Sequence, residues 1–482
     1  MTNERQERLR LLENLRENDE AYSYNFNRSH KVRELQELDT GNEEDLPNNE
    51  FSTAGRIMEI RSFGQLVFID LRGEREDIQL IVREDNSLLD VVDDLYRGDI
   101  VGVSGYLTYS DKMEFSLEVE SMEVLSRGLR HIPSEHFGLE DQEQRYRDRP
   151  LQLISDMEAR EDLRTRSEVV SEIRRFLENR EFMEVETPVI QPVYGGTHAT
   201  PFETHVEDLG QDQYLRIAKE LYLKRLIIGG YERIFEIGKD FRNESIDTTH
   251  NPEFTMMELY QAYADYEDIM ELTEDLYEHV AIQVIGSPQI EYNGQDIDLS
   301  APWERLTMRE AILEYAGLDI EQMTDQEIRE ELQNHNIELE SGYERGLATA
   351  ELFEELVEDQ LTQPVHITDH PEETTPLCMQ HRDKDGRIER FESFAAGMEL
   401  GNAYTELRDP IRQRNLFEEE QRRQDEGDDE AHPIDMDFVE ALELGMPPTG
   451  GLGIGIGRMV MLLTDNQSIR DVTPFPMLKK QD

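Results

Sequence analysis

Residues 233–263 constrain this chain more than any other stretch. From Ile234 to Arg242 the sequence can alternate as a strand that places Glu236, Gly238, Asp240 and Arg242 on one face. The turn-prone segment 243–252 follows, and a return arm from Glu253 to Tyr260 puts Phe254, Met256, Glu258 and Tyr260 on one face. An antiparallel hairpin of this kind presents an arginine, an aromatic ring, a carboxylate and a phenol together. Arg grips phosphate bidentately and Phe can stack on a purine, while carboxylates accept from ammonium groups. The plain alternative is a hairpin with a salt-bridged face.

Two further stretches carry chemistry. In 391–407, Ala396-Gly397 can turn two strands so that Glu392 and Glu399 approach one another, with Asn402, Tyr404 and Glu406 sharing a face. Paired carboxylates beside phosphates suit Mg²⁺, which keeps several waters and takes one or two carboxylates from protein. Glu399 has the wrong parity relative to Asn402, so a bulge or the turn must re-aim it. In 447–460 a glycine-rich strand runs into a helix with Arg458 at its start, which permits close backbone approach to a ligand. It is neither a Walker loop nor a dinucleotide fingerprint.

The N-terminal third reads differently. Runs 53–60, 65–71, 77–82, 99–107 and 113–125, with a helix-like 88–96 between the third and fourth, fit a five-stranded OB-fold barrel. Phe68 and Gln79 are its candidates for stacking on bases and bonding their edges, although a lone Phe is more often core. The divisions expected are a helical extension (1–45), the barrel (46–130), a linker (131–160) containing the basic run Arg145-Tyr146-Arg147-Asp148-Arg149, and a large domain (161–482) with a helical insertion at about 306–365. A strong amphipathic helix opens that domain over 161–179. The fold class is α+β: a barrel plus an antiparallel sheet flanked by helices.

Composition enters as a test of whether such a chain folds. With 49 Lys+Arg against 108 Asp+Glu the formal charge is −59, on 37% apolar residues, a combination that approaches disorder. Recurrent apolar runs such as 221–228 and 459–463 argue for a folded protein with an acidic skin. Only eight of the cations are lysine, and the pattern looks like that of salt-accumulating halophiles, whose molar salt shortens the Debye length to about 3 Å. One cysteine, Cys378, excludes an intrachain disulfide. The absence of a signal peptide or long apolar run predicts a cytoplasmic protein.

In order, these stretches resemble the three signature motifs of class II aminoacyl-tRNA synthetases. Glu186-Thr187-Pro188 after the amphipathic helix resembles motif 1. Phe241-Arg242-Asn243-Glu244 with His250-Asn251-Pro252-Glu253-Phe254 resembles motif 2, and Gly453 through Arg458 resembles motif 3. The barrel places the chain in the aspartyl, asparaginyl and lysyl subgroup. Segments 215–226, 250–263 and 401–407 resemble the lysyl enzymes of bacterial type over nearly the whole length.

The resemblance implies lysine–tRNA ligase activity with ATP, L-lysine and tRNA(Lys) as substrates, Mg²⁺ as cofactor, and a homodimer formed through motif 1. Carried over residue by residue, Arg242 and Arg458 would be catalytic and grip the phosphates. Phe254 would stack on adenine, with Glu244 and His250 also at the ATP site, and Glu392 and Glu399 would hold the metal. Gly196 and Glu220 would meet the α-amino group, and Arg242 with Asn402 the α-carboxylate. Tyr260 and Glu406 would meet the ε-ammonium, with Glu258 close by and Tyr404 along the stem. Phe68 and Gln79 would read the anticodon.

Three positions depart from the family: Gly457 replaces an Asp before the motif 3 Arg, Ala395-Ala396 with Met398 replaces a glycine-richer turn, and Lys219 stands where Pro is common. An aspartyl or asparaginyl enzyme shares the architecture but would want cations opposite its substrate, not Glu406 and Glu258. A non-catalytic barrel protein that merely binds nucleic acid would not need both motif arginines. The acidic chain must also bind polyanionic tRNA, for which 145–149 and the barrel arginines are the expected footprint.

Overall fold

The computed structural model describes residues 3–17, 22–64, 66–83, 88–132, 141–337, 339, 342–426 and 433–480. Parts of the expected extension, linker and insertion, and Gln65 at the start of the second expected strand, lie outside them. The chain divides into two compact units, Met1–Met157 and Glu158–Asp482.

The first unit is a closed barrel of β1 (Phe51–Phe63), β2 (Leu66–Arg72), β3 (Asp77–Arg83), β4 (Ile100–Tyr109) and β5 (Phe115–Ser126) in the order β1-β2-β3-β5-β4. Closure comes from antiparallel pairing of β1 with β4 and parallel pairing of β3 with β5. Alternation explains it: Ile69 and Leu71, Leu80 and Val82, and Val101 and Val103 point inward and are fully buried. A short helix, Leu89–Asp93, lies between β3 and β4. The arginines of 145–149 do not form the expected open basic patch. Arg149 is buried and donates to Gln152 (2.7 Å), and Arg147 pairs with Glu143 one helical turn away. A buried guanidinium without hydrogen-bond partners is costly, so Arg149 is held by the Gln152 amide, while the charge of Arg147 is offset by Glu143.

The second unit is built on an eight-stranded sheet. Its strands are β6 (Met183–Glu184), β10 (Arg233–Phe241), β11 (Glu253–Ala262), β14 (Glu304–Thr307), β15 (Val365–Thr368), β16 (Arg390–Ala395), β17 (Met398–Thr405) and β18 (Thr449–Gly455), in the order β14-β15-β16-β17-β18-β11-β10-β6. The ladder is antiparallel except at its edges, where β14 pairs with β15 and β6 with β10 in parallel. A small sheet of β7 (Ile190–Gln191), β8 (Phe202–Val206) and β9 (Gln211–Leu215) and a ribbon of β12 (Gln289–Tyr292) and β13 (Gln295–Asp298) complete the β-structure.

One face of the large sheet is core. Met257 and Leu259 of β11, Phe391 of β16, Leu400 and Ala403 of β17 and Leu452 and Ile454 of β18 are buried against three helices, Met157–Glu178, Tyr266–Val284 and Ile456–Leu463. These helices present the apolar stripes their periodicity demands, such as Val169, Ile173, Phe176 and Leu177. Asp265 caps the second of them, accepting from the Glu267 and Asp268 N–H groups. The residues that alternate with the core set, Glu258, Glu392, Asn402 and Gly453, therefore face the opposite side, where a cleft opens.

Candidate active site

The cleft of about 360 Å³ lies on the open face of the large sheet. Gly196, Glu220, Arg242, Glu244, His250 and Phe254 line it, with Glu258, Tyr260, Glu392, Glu399, Asn402, Tyr404, Glu406 and Arg458. Every residue expected at the ATP and lysine sites is thus on one surface.

Strand pairing sets its geometry. In the β10–β11 hairpin Asp240 faces Phe254 and Glu236 faces Glu258. The two arms have different fates. Glu236 and Asp240 lie on the same face as Glu258 and Phe254 but are buried in a charge network with Arg216, at 2.6 and 3.1 Å. The salt-bridged reading therefore holds for these residues of the first arm, while the return arm lines the cleft. Gly238 is required there, because a Cβ would lie 2.4 Å from the Arg216 guanidinium. Thr187 of motif 1 is tied to the same network, its hydroxyl donating to Glu236 at 2.7 Å.

Arg242, beyond the end of β10, holds its guanidinium 5.1 Å from the centre of the Phe254 ring. Among the described residues no carboxylate pairs with it, which leaves its charge for an anionic ligand. Arg458 donates to the backbone oxygen and carboxylate of Glu399, each at 2.9 Å. Its other terminal nitrogen donates to His250 Nε2 (3.2 Å), and His250 Nδ1–H donates to Asp247 (2.9 Å). Desolvation opposes ionisation of Asp247, but hydrogen bonds from the Thr249 and His250 N–H groups and the His250 ring bring it down to about 2. Glu399 therefore anchors Arg458 directly, and the Asp absent at 457 is not needed. Gly457 instead makes room for Ile469, whose Cδ1 would lie 2.8 Å from a Cβ.

The parity problem at Glu399 is resolved by a bulge. Ser393 pairs with Gly401 and Phe394 with Glu399, so Leu400 is the extra residue. Leu400 drops into the core and Glu399 joins Glu392 in the cleft. The turn between the strands places Ala396 (φ 53°) and Gly397 (φ 69°) in the left-handed region. Ala396 occupies a conformation that costs an L-residue about 1–2 kcal/mol. Backbone bonds from Ala396 and Gly397 to Thr362 and Leu361, at 2.8 and 2.9 Å, hold the turn.

Glu392 accepts from Arg390 and from the Asn402 amide (3.2 Å). The negative potential here is high: burial and repulsion from Glu399, Glu354 and Glu392 push Glu358 up to about 8. Two cleft carboxylates in an over-negative corner fit a hard divalent cation completed by phosphate oxygens and water. Among the described residues no group of three or more His, Cys, Asp or Glu forms a ready-made cage.

At the other end, Glu220, Glu258 and Glu406 are all buried, and Lys224 is the internal ammonium beside two of them, Glu220 and Glu406. Lys224 Nζ is ion-paired with both Glu220 and Glu406. Glu258 accepts from the Lys219 N–H (3.1 Å) and the Tyr260 hydroxyl (3.4 Å). The Lys219 ammonium is taken by Asp240 (2.5 Å), so Lys219 reinforces the buried network behind the pocket. Burial, and then the surrounding carboxylates, push Tyr260 well above the usual phenol range. Glu406 rises to about 8 by burial, against the pull of Lys224. Glu220 and Glu406 share one ammonium, Glu258 and Asp240 share the other, that of Lys219, and Glu406 Oε1 has no hydrogen-bond partner.

The glycines of β18 leave this space open. A Cβ at Gly451 would lie 2.1 Å from Glu406 Oε1 and 2.6 Å from the Tyr260 ring, and one at Gly453 would lie 2.6 Å from Met256.

In the barrel, Phe68 is half-buried on β2 and meets the exposed Phe63 edge-on, with ring centres 6.1 Å apart. Gln79 is buried, donating to Glu114 (2.7 Å) and accepting from Ser116 (3.1 Å). Its amide is held in place rather than free at the surface. Arg390, Lys224 and Phe63 escaped the sequence reading. Arg390 lies two residues from Glu392 and Lys224 four from Glu220, so strand and helix periodicity give signals for both; solvent exposure of Phe63 has none.

The antiparallel sheet, its two arginines and its barrel partner define a class II synthetase: the chain belongs to the tRNA synthetases class II (D, K and N), whose family pattern matches residues 141–479. The OB-fold nucleic acid binding domain pattern matches residues 51–125. Within the class the chain falls among the lysine–tRNA ligases. It is 48% identical to the Lysine--tRNA ligase of Saccharolobus solfataricus, over 98% of this chain and 97% of the relative. It is 46% identical to that of Methanoculleus marisnigri, over 95% and 91%, and 46% identical to that of Enterococcus faecalis, over 97% and 96%. Among the described residues no helix is long and apolar enough to cross a membrane.

Proposed function

We propose that this chain activates L-lysine with ATP to lysyl-adenylate and pyrophosphate, and then transfers lysine to the 3′ end of tRNA(Lys). The observation that carries the choice of lysine is the acidic end of the cleft, where Glu220 and Glu406 share the one ammonium of Lys224 and Glu258 lies 4.0 Å from a Lys219 ammonium already held by Asp240. A ligand bearing two ammonium groups relieves that imbalance, whereas the side chain of aspartate would add to it. Gly196 and Glu220 receive the α-amino group, and Tyr260 and Glu406 the ε-ammonium with Glu258 beside them. Tyr404 packs along the stem, and Arg242 with Asn402 takes the carboxylate.

The lysine carboxylate oxygen attacks the α-phosphorus, and the bond to the bridging oxygen breaks as pyrophosphate leaves. The terminal ribose hydroxyl then attacks the acyl carbon and AMP departs. No side chain needs to be a nucleophile. Arg242 and Arg458 hold the phosphates and stabilise the charge that develops, Phe254 stacks on adenine, and Glu244 and His250 complete the ATP site. Glu392 and Glu399 would hold Mg²⁺, which when bound supplies charge neutralisation to the phosphates.

Domain 46–130 reads the anticodon with Phe68 for stacking, and Gln79 makes base-edge contact by exchanging its bonds to Glu114 and Ser116 for the base. Domain 161–482 carries the chemistry, with its helical insertion at about 306–365, and 131–160 connects the two. A homodimer through motif 1 is supported by the exposed apolar side chains of Met183, Val189 and Ile190. The acid excess and scarcity of lysine support a cytoplasmic enzyme of a salt-accumulating organism, and the bacterial-type architecture goes with the barrel.

The test is amino-acid-dependent ATP–pyrophosphate exchange with lysine, aspartate and asparagine, in low salt and in molar KCl. Exchange with lysine alone, strongest in KCl, is expected. Exchange with aspartate, or none at any salt, overturns the reading.

A further inference from the structure

Lys224 is fully buried, yet it lies at the lysine end of the cleft, one helical turn from Glu220 on the helix Glu220–Ile228. Its ammonium takes Oε1 of Glu220 and Oε2 of Glu406. The remaining oxygen of each carboxylate points elsewhere. Glu220 Oε2 is 3.8 Å from the position of a Cβ at Gly196, and Glu406 Oε1 is 2.1 Å from one at Gly451. Both glycines line the cleft. One ammonium thus ties together two carboxylates that come from different elements, a helix and the end of β17, and leaves one oxygen of each facing the ligand space.

We propose that Lys224 is a positioning residue that sets the separation of the two ammonium-accepting oxygens, and thereby the length of the diamino acid the site accepts. Glu220 and Glu406 are the anchors for the α-amino and ε-ammonium groups, so a fixed distance between them is a length gauge. A shorter chain, such as ornithine with one methylene fewer, cannot satisfy both. Without the internal ammonium the two carboxylates repel one another in a buried site and the gauge is lost. The inference rests on the reading of the cleft as the lysine-activating site.

The experiment is amino-acid-dependent exchange on the full chain with lysine and with ornithine, for the natural protein, Lys224→Met and Lys224→Arg. Exchange by the natural protein with lysine tests the activity itself, so failure there is distinct from failure of the role of Lys224. Lys224→Met is expected to raise the lysine KM by about thirtyfold or more. It is also expected to cut the lysine-to-ornithine preference by about tenfold, with the KM for ATP changed by less than about twofold. Lys224→Arg keeps the charge the buried carboxylates need but alters their spacing, so it too shifts the preference even if the Met variant does not fold. A purely structural lysine would lower the melting temperature of both variants and leave the lysine-to-ornithine ratio unmoved. An unchanged ratio in either folded variant overturns the proposal.

Discussion

Lysine binding should release a proton near neutral pH. The perturbation is pH itself, acting on Glu406, which burial pushes up to about 8. The groups that set this are Glu220 and Glu258, which oppose its ionisation, and Lys224, which favours it. Tyr260, Tyr404, Arg390 and Cys378 complete its surroundings. At pH 7 a carboxyl titrating at about 8 is protonated in roughly ten molecules for each ionised one. The ε-ammonium requires the ionised form, so binding releases close to one proton at a cost of about 1 kcal/mol. At pH 8.5 the penalty has nearly vanished, and affinity should be about eightfold higher than at pH 7. Calorimetric titration of the free protein with lysine, in phosphate and in Tris at each pH, reads the release directly from the difference in heat. Identical heats in the two buffers at pH 7, together with an affinity flat from pH 7 to 8.5, would refute the account of an over-acidic pocket.

Gly451→Ala places a methyl group 2.1 Å from Glu406 Oε1. It should raise the lysine KM by about thirtyfold, the scale of a disrupted buried ion pair, and barely move that for ATP in the exchange assay. Gly457→Asp, which restores the residue usual before the motif 3 Arg, meets Ile469 at 2.8 Å in a buried position. A melting temperature reduced by overpacking worth about 1–3 kcal/mol is expected, and an unchanged one would show that the C-terminal segment shifts freely. Phe68→Ala should lower kcat/KM for tRNA by about tenfold, as loss of one base stack does, and leave ATP–pyrophosphate exchange intact. A matching fall in exchange would show that Phe68 only stabilises the barrel.

Much of the site was legible in the chain because strands repeat every two residues. Glu258 and Tyr260, or Asn402 and Tyr404, share a face wherever the strand goes, and the pairs Met257/Leu259 and Leu452/Ile454 that bury the opposite face are apolar for the same reason. The amphipathic helix ending at Glu178 and the two hairpins follow from such local patterns. Other features depend on atoms far apart in sequence. The bulge at Leu400 exists because Leu400 packs in the core and Glu399 reaches Arg458, 59 residues away. Asp240 shares a strand face with Arg242 in the sequence pattern, but Lys219 and Arg216 draw its carboxylate into the interior. Gln79, which reads as an open base contact, is held by Glu114 and Ser116 on neighbouring chain segments. Likewise 145–149 is an open basic patch only until the pairing of Arg147 with Glu143 and the burial of Arg149 on Gln152 are counted.

The sequence by itself determined the strands, the amphipathic helices, the barrel and the set of side chains available to the cleft, since these rest on periodicity and local turn chemistry. Tertiary structure alone decided which carboxylates stay open to a ligand and which are neutralised, and it placed Lys224 between two of them. Electrostatic partnership depends on distance and burial rather than on order along the chain.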